Sequence, residues 1–508
     1  MNRKKVIHRH SSIYRIFFVG VSILAQAGWL LLLILRLNQY YAAISLLTGI
    51  LALVAVLRIH SHHNNTALKM PWIMLILSFP VMGISLYLLF ETLGHPRLLQ
   101  KRLQNAQITS LPQSLSVKQN LAQVNPTIAN HFHYLMTHGN APVYQNTHAE
   151  YYPESALAFQ AMKRDLAQAR HFIFMEYFIL EDGAAFAELR EILVQKAQDG
   201  VEARLMYDDF GSIGSSDLRF ARELRQDGIR CQIFNPAVPV LNLFMNHRDH
   251  RKITVIDGKV AFTGGYNLSD EYFGKKTMFG HWKDLGLRLE GEAVQSLTAT
   301  FLELWDFSAR SYADNRSFLD VHHSIPCNGF VQPYRDSPIG SERFTENVYL
   351  NLINSATNSL WFMTPYLIIT DEMTRALQLA AKRGVDVRII TPGIPDKKTV
   401  YALTRSYYGG LTTQGVRIFE YTPGFCHGKL CICDGKIASI GTSNLDYRSL
   451  YLHFENNVLL WACPAVDAMV ADLEATFPQC REVTDQYCRH SGFLHLWQCI
   501  LRLFAPLM

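Results

Sequence analysis

Three stretches of the chain recur in the same order at a nearly constant spacing, and this repetition restricts the fold more than any other feature. HFIFMEYFI (171–179) is echoed by SLWFMTPYLI (359–368), QDGVEARLM (198–206) by KRGVDVRII (382–390), and DGIRCQIF (227–234) by QGVRIFEY (414–421). The members of each pair lie about 185 residues apart, and a fixed period sustained over several segments marks a duplicated unit. Strand-like stretches alternating with helix-period stretches imply βαβ units. The expectation is an α/β protein: two similar halves, each built on a mixed β-sheet, packed about a pseudo-twofold axis.

The first ninety residues read differently. Ile16 to Leu35 and Tyr41 to Leu57 carry no charge, and Pro71 to Phe90 is bounded by Lys69 and Glu91. Each run approaches the length a helix needs to cross hydrocarbon. Charged residues make up only 18% of the chain and hydrophobic ones 49%, whereas about a quarter of an ordinary soluble domain is charged. Two or three transmembrane helices are therefore predicted in 1–92, preceding the α/β region. Orientation stays open, because the basic leader (Arg3, Lys4, Lys5, Arg9) and the later Arg97, Lys101 and Arg102 pull in opposite senses. Residues 93–124 read as a polar linker, 125–320 and 321–490 as the two halves, and 491–508 as an apolar tail suited to a membrane interface or to covering a core.

Each half ends in one polar pattern. NHRDHRKITVIDGKVAFTGGYN (246–267) holds His250, Lys252, Asp257, Gly264, Gly265 and Asn267; FCHGKLCICDGKIASIGTSN (425–444) holds His427, Lys429, Asp434, Gly441, Ser443 and Asn444. A His and a Lys two residues apart on a strand point to one face. Asp-Gly closes a hairpin turn. Pairing the halves would bring together two imidazoles and two ammoniums, a set suited to phosphoryl chemistry. One neutral His can attack phosphorus, the other can shuttle the proton, and the Lys and Asn side chains can hold phosphate oxygens.

These blocks resemble the paired HKD motifs of the phospholipase D superfamily. The resemblance implies a phosphohistidine intermediate, a reciprocal acid/base His, and no metal or other cofactor. It counts Asp257 and Asp434 among the catalytic motif residues, in a structural capacity, and by analogy gives attack to His250 and proton transfer to His427. It also suggests that Asp284 in HWKDLGLRLEG and Glu455 in YLHFENN orient the imidazoles. The N-terminal runs, together with YDDFGS (207–212), NHRDHRK, NLSDEYFG (267–274), NLDYRSLYLHFENN (444–457) and the closing LRLFAPLM, resemble bacterial cardiolipin synthases. That narrower likeness implies a multi-pass enzyme of the bacterial plasma membrane. It would move a phosphatidyl group from one phosphatidylglycerol to another, releasing glycerol, with the apolar VPVLNLFMN (238–246) as one candidate wall of the acceptor site.

A membrane-anchored hydrolase or phosphodiesterase shares the same motifs, and a scaffold on an inactive copy of the fold is the reading from another class. The net charge of +5 is too mild, and basic aromatic patterning too sparse, for a nucleic-acid partner. Cys426, Cys431 and Cys433 are the one tight cysteine group, but their spacing suits a buried strand better than zinc.

Overall fold

The computed structural model describes residues 41–61, 65–93, 96–108, 111–216, 218–236, 246–310 and 315–487, with short pieces near both chain ends. Parts of the run Ile16–Leu35, most of the tail 491–508 and the loop 237–245 lie outside the described residues.

Helix α1 (Tyr41–Ser61) is followed by α2 (Thr66–Ser78) and α3 (Pro80–Leu93). The third apolar run is thus not one span. Pro80 disfavours a helical Phe79, whose backbone (φ −138°, ψ 76°) leaves the helix, and α2 ends there. The chain then bends so tightly that a Cβ on Gly83 would lie 2.6 Å from Ile76 Cα. Ala52, Ile59, Ile76 and Tyr87 form a small core between the three helices. Leu46, Leu47, Ile50, Leu51, Leu53, Val54, Leu57, Leu77 and Phe79 remain exposed. Among the described residues no helix is long and apolar enough to cross a membrane.

The segment read as a linker is folded. Helices α4 (Pro96–Ala106) and α5 (Leu115–Ala122) are followed by α6 (Pro126–His138), capped by Asn125 with Pro126 in the first turn. Val117, Leu121, Phe132 and Leu135 pack with Phe330 and Tyr334 of the second half. Gln332 Nε2 donates to the main-chain oxygens of Phe132 and Ala141 at 3.1 and 2.7 Å. The expected boundary at 125 is therefore displaced, because the apolar face of α6 finds its partner across the molecule.

The first sheet comprises β1 (Thr147–Tyr152), β2 (Phe172–Tyr177), β3 (Glu202–Asp208), β4 (Arg230–Phe234), β5 (Lys252–Ile256), β6 (Val260–Gly264) and β7 (Gly286–Gly291), in the order β1-β7-β6-β5-β2-β3-β4. The second holds β8 (Phe330–Asp336), β9 (Ser359–Met363), β10 (Asp386–Pro392), β11 (Arg417–Tyr421), β12 (Leu430–Cys433), β13 (Ile437–Gly441), β14 (His453–Trp461) and β15 (Cys480–Glu482), in the order β8-β14-β13-β12-β9-β10-β11-β15. Strand for strand the two orders match, with β15 added at one edge. In both sheets the strands carrying the echoed sequences pair in parallel and the rest antiparallel, so each sheet is mixed as expected. Phe174, Ile253 and Val255 of the first sheet share a core with Leu430, Ile432 and Val458 of the second.

Candidate active site

Two short parallel ladders stitch the halves together beside the motifs. Arg248 and Asp249 pair with His453 and Phe454, and Gly424–Cys426 pairs with His281–Lys283. The next residue in each case is the motif histidine. His250 N donates to Phe454 O at 3.0 Å, and His427 N to Lys283 O at 2.7 Å. Each histidine backbone is thereby held by the opposite half.

The side chains follow the same crossing. His250 Nδ1 meets Glu455 Oε1 and Oε2 at 2.9 and 3.1 Å, and His427 Nδ1 meets Asp284 Oδ2 at 2.6 Å. Asp284 and Glu455, singled out as orienting acids, thus serve the imidazole of the other half. A carboxylate on Nδ1 fixes that nitrogen as the proton carrier and leaves a lone pair on Nε2. Gly265 makes room for one of these pairs: a Cβ there would lie 2.1 Å from Asp284 Oδ1 and 2.9 Å from His427 O.

Lys252 opens β5 and is fully buried; its Nζ donates to His250 O at 2.6 Å. Lys429 donates to His427 O and lies 2.9 Å from His427 Nδ1. The ammoniums therefore sit beneath the imidazoles, where burial lowers Lys252 to about 7 and Lys429 to about 8. Asn267 accepts from Ile179 N at 3.1 Å and donates to Tyr272 Oη at 2.8 Å, whereas Asn444 Oδ1 has no partner.

Asp257 and Asp434 do something else. Each occupies a left-handed turn, at φ 51° and 52°. Asp257 accepts from the N–H groups of Arg170, His171 and Phe172; Asp434 accepts from those of Thr357, Asn358 and Ser359 and from Thr357 Oγ1. They pin the turn before the central strand of each sheet and are absent from the cavity that both histidines line. This geometry agrees with the structural capacity expected of them: each carboxylate spends its acceptors on the main-chain donors of the turn.

That cavity has a volume of about 480 Å³ and is lined by His250, His427, Asn267 and Asn444. Burial, reinforced by Lys252, drives His250 well below its ordinary pKa. Burial, then Lys429, lowers His427 to about 4 against the opposing pull of Asp284. Both rings are neutral near pH 7, so either Nε2 is a competent nucleophile or base. His250, His453 and Glu455 bring three donor atoms within 4.8 Å of one another, the one grouping among the described residues able to hold a metal ion. Glu455 is already committed to His250 and Thr442. The candidate acceptor wall at 238–246 falls almost wholly outside the described residues.

The family model described as "Cardiolipin synthase, PLD-like domain" matches residues 162–305 and 349–479, one stretch in each half and both spanning a motif. The chain belongs to the cardiolipin synthase family of phospholipase D-like proteins. A second model, described as the phospholipase D-nuclease N-terminal region, matches residues 49–91. A cardiolipin synthase from Halalkalibacterium halodurans is 32% identical over 92% of this chain and 94% of its own length. Cardiolipin synthase 2 of Bacillus anthracis is 34% identical, with 89% of each chain covered. A solved structure, the phosphatidylserine synthase of Haemophilus influenzae Rd KW20, shares the fold at a TM-score of 0.53 and 16% identity, covering 76% of this chain and 98% of that one.

Against this cardiolipin synthase framework, the residues that sequence reasoning missed are Arg248, Arg448 and His453 beside His250, and Tyr272, Trp282 and Phe425 beside His427. The signal was available. All six lie in segments quoted above, and aligning the two motif blocks puts Arg248 opposite Phe425.

Proposed function

We propose that this chain is a cardiolipin synthase that transfers a phosphatidyl group between two phosphatidylglycerol molecules. The observation that carries the reading is the pair of motif imidazoles, each clamped at Nδ1 by an acid of the opposite half, lining one cavity. In the proposed reaction His250 Nε2 attacks the phosphorus of the first lipid. The bond to the glycerol oxygen breaks, and His427, which gains its proton as the anionic phosphodiester enters, passes that proton to the departing glycerol. The terminal hydroxyl of the second lipid then gives its proton to His427 as its oxygen attacks phosphorus. The phosphorus–nitrogen bond breaks, and cardiolipin leaves with His250 neutral again. Asn267 and Asn444 line the cavity and offer polar groups to the developing oxyanion, while Lys252 and Lys429 act from beneath the imidazoles.

The lipid substrate is supported by what surrounds the cavity. Phe210 and Met278 line it and are each 51% exposed, an apolar lip suited to a bilayer surface. We assign the apolar outer faces of α1–α3 to the membrane as well. A multi-pass anchor would draw its crossings from the apolar runs of residues 1–92, with the short pair α2–α3 seated in one leaflet.

Purified protein in phosphatidylglycerol vesicles, followed by mass spectrometry, tests this. The expected products are cardiolipin and an equal amount of glycerol. Phosphatidic acid as the sole lipid product would replace the transferase with the hydrolase. Resistance of the protein to alkaline carbonate extraction from membranes checks the anchor, and release would defeat it.

A further inference from the structure

A cavity that joins two phosphatidylglycerols must accommodate two phosphodiester anions, yet the motif histidines meet only one. The motif lysines are turned onto the histidine carbonyls. Three other polar side chains line the cavity on the His250 side: Arg248, Arg448 and His453. Arg248 is 1% exposed. Its Nε donates to Asp208 Oδ2 at 3.1 Å and its Nη2 to Asn235 O at 2.6 Å, while Nη1 has no partner. His453 lies beside His250, its ring tilted by 40° with centroids 5.3 Å apart. Its Nε2 accepts from Arg448 Nε at 3.4 Å, and no hydrogen bond engages the terminal nitrogens of Arg448 among the described residues. Among the described residues no carboxylate lies within ion-pair distance of Arg448.

The carboxylates nearby hydrogen-bond to other groups, although Asp446 and Asp208 act on Arg448 from beyond ion-pair distance. Asp208 holds Arg248 and accepts from the N–H groups of Phe210, Gly211 and Asp249. Asp446 accepts from Ser449 N, and Asp396 from Tyr366 Oη. Glu271 accepts from Ser269 Oγ. Buried Arg248 and half-buried Arg448 thus bring unused donors to the cavity they both line, the arrangement that phosphate recognition uses. A buried charged donor left unmatched is costly, and a bound anion removes that cost.

We propose that Arg248 and Arg448 form a second anion subsite, positioned by His453, that receives the phosphodiester of the acceptor lipid one glycerol unit from the reacting phosphorus. The inference rests on the cardiolipin synthase reading and deepens it by saying how the acceptor is distinguished from water or free glycerol. Neither competitor carries the charge that this subsite reads.

The test compares an uncharged acceptor with a charged one in the same protein. In phosphatidylglycerol vesicles, incorporation of isotope-labelled glycerol into phosphatidylglycerol reports transfer to a neutral acceptor, and cardiolipin formation reports transfer to an anionic one. Arg448→Gln is expected to lower cardiolipin formation at least tenfold more than glycerol exchange. Arg448→Lys should lie between, and His453→Asn should shift the ratio about threefold. Soluble glycerophosphoglycerol, offered as acceptor, should lose its advantage over glycerol in Arg448→Gln, which separates charge recognition from acyl-chain contacts. A parallel fall of both activities would overturn the subsite and assign Arg448 to the reacting phosphate or to the fold. An unchanged ratio would overturn it as well. Failure of the underlying reading is distinguishable, since the unmodified protein would then make neither cardiolipin nor exchanged phosphatidylglycerol.

Discussion

The two halves of this molecule share one strand order and one motif, but they dress their histidines differently. Beside His250 the framework positions carry Arg248 and His453, paired across the first inter-half ladder; beside His427 the equivalent ladder pairs Phe425 with Trp282. Four residues after each motif asparagine stand Arg448 in the second half and Glu271 in the first. His427 is consequently ringed by Tyr272, Trp282 and Phe425 at centroid distances of 5.2, 5.7 and 5.9 Å, whereas His250 faces Phe178 at 5.0 Å and the polar His453. A duplicated fold supplies two identical mounts for a reactive imidazole. The chain then uses the flanking positions to make one side cationic and the other aromatic. That division suits a reaction whose two lipids enter as near-identical molecules and must end in different roles.

The comparison is tested hardest at the histidines themselves. His250→Ala and His427→Ala should each lower cardiolipin formation by about a thousandfold or more, since each removes a group acting in the transition state. The variants should differ in one respect. A phosphatidyl adduct on His250, detected by mass spectrometry after acid-free quenching, should build up in His427→Ala and be absent from His250→Ala. An adduct on His427 instead would exchange the roles of the halves. Next come the crossed acids. Glu455→Gln and Asp284→Asn should each cost roughly a hundredfold by loosening the tautomer and angle of the partner ring. Nitrogen NMR should find the His250 resonances moved by Glu455→Gln and the His427 resonances by Asp284→Asn. The reverse pattern would refute the crossed pairing.

Asp257 and Asp434 mark where the halves are alike. Replacing either by Ala strands three main-chain donors and puts Ala into a left-handed turn, so a loss on the order of 2–3 kcal/mol is expected in each case. Chemical denaturation measures it. Near-equal losses support equivalent structural roles, and a thousandfold activity loss without destabilisation would return either residue to the chemistry.

The repeat, the mixed sheets and the motif members were legible in the sequence because they are local: periodicity, an Asp-Gly turn and a His two residues before a Lys. The crossed acids were legible as residues but not as partners. Glu455 follows His427 in the chain by 28 residues yet bonds His250 across the molecule, and nothing local encodes which half an acid will face. The same limit hid α6, whose amphipathic pattern announces a buried face but not that Phe132 and Leu135 lie on the second half. The single third span failed for a local reason that was visible: Pro80 lies in the middle of the run. His453 and Arg448 were visible in NLDYRSLYLHFENN, and their place at the cavity emerges only once the ladder with Arg248 is formed.

α6 has no counterpart between the halves, and it gives the comparison a pH handle. His131 on α6 is 6% exposed, faces Ser355 Oγ at 3.1 Å, and is lowered by burial to about 4. Its folded pKa lies below the unfolded value of 6.5, so the unfolded state binds the extra proton first, and stability falls as pH drops from 6.5 toward 4. Between pH 6.5 and 5 this one ring should cost about 2 kcal/mol. Thermal melts of His131→Gln should show a shallower pH dependence than the unmodified protein over that interval. Equal slopes would mean that the contact between α6 and the second half admits water.

The smallest expected effect concerns the aromatic side. If His427 activates the incoming hydroxyl, water is its constant competitor, and the rings around it are what deny water a place. Trp282 packs on Phe425 at 4.8 Å and on Tyr272 at 4.9 Å, closing that wall. Trp282→Ala removes the largest piece while leaving the Nδ1 clamp of Asp284 two residues away in sequence. Total turnover of phosphatidyl groups should then change by about threefold or less, but the ratio of phosphatidic acid to cardiolipin should rise severalfold as water reaches the phosphohistidine. Trp282→Phe should restore much of the original ratio. The cationic side makes the opposite prediction: Arg448→Gln weakens the hold on the acceptor without opening the wall, so its phosphatidic acid should rise only as far as cardiolipin formation slows. An unaltered ratio in Trp282→Ala would show that the aromatic side merely supports the ring of His427, and that the division of labour between the halves rests on the cations alone.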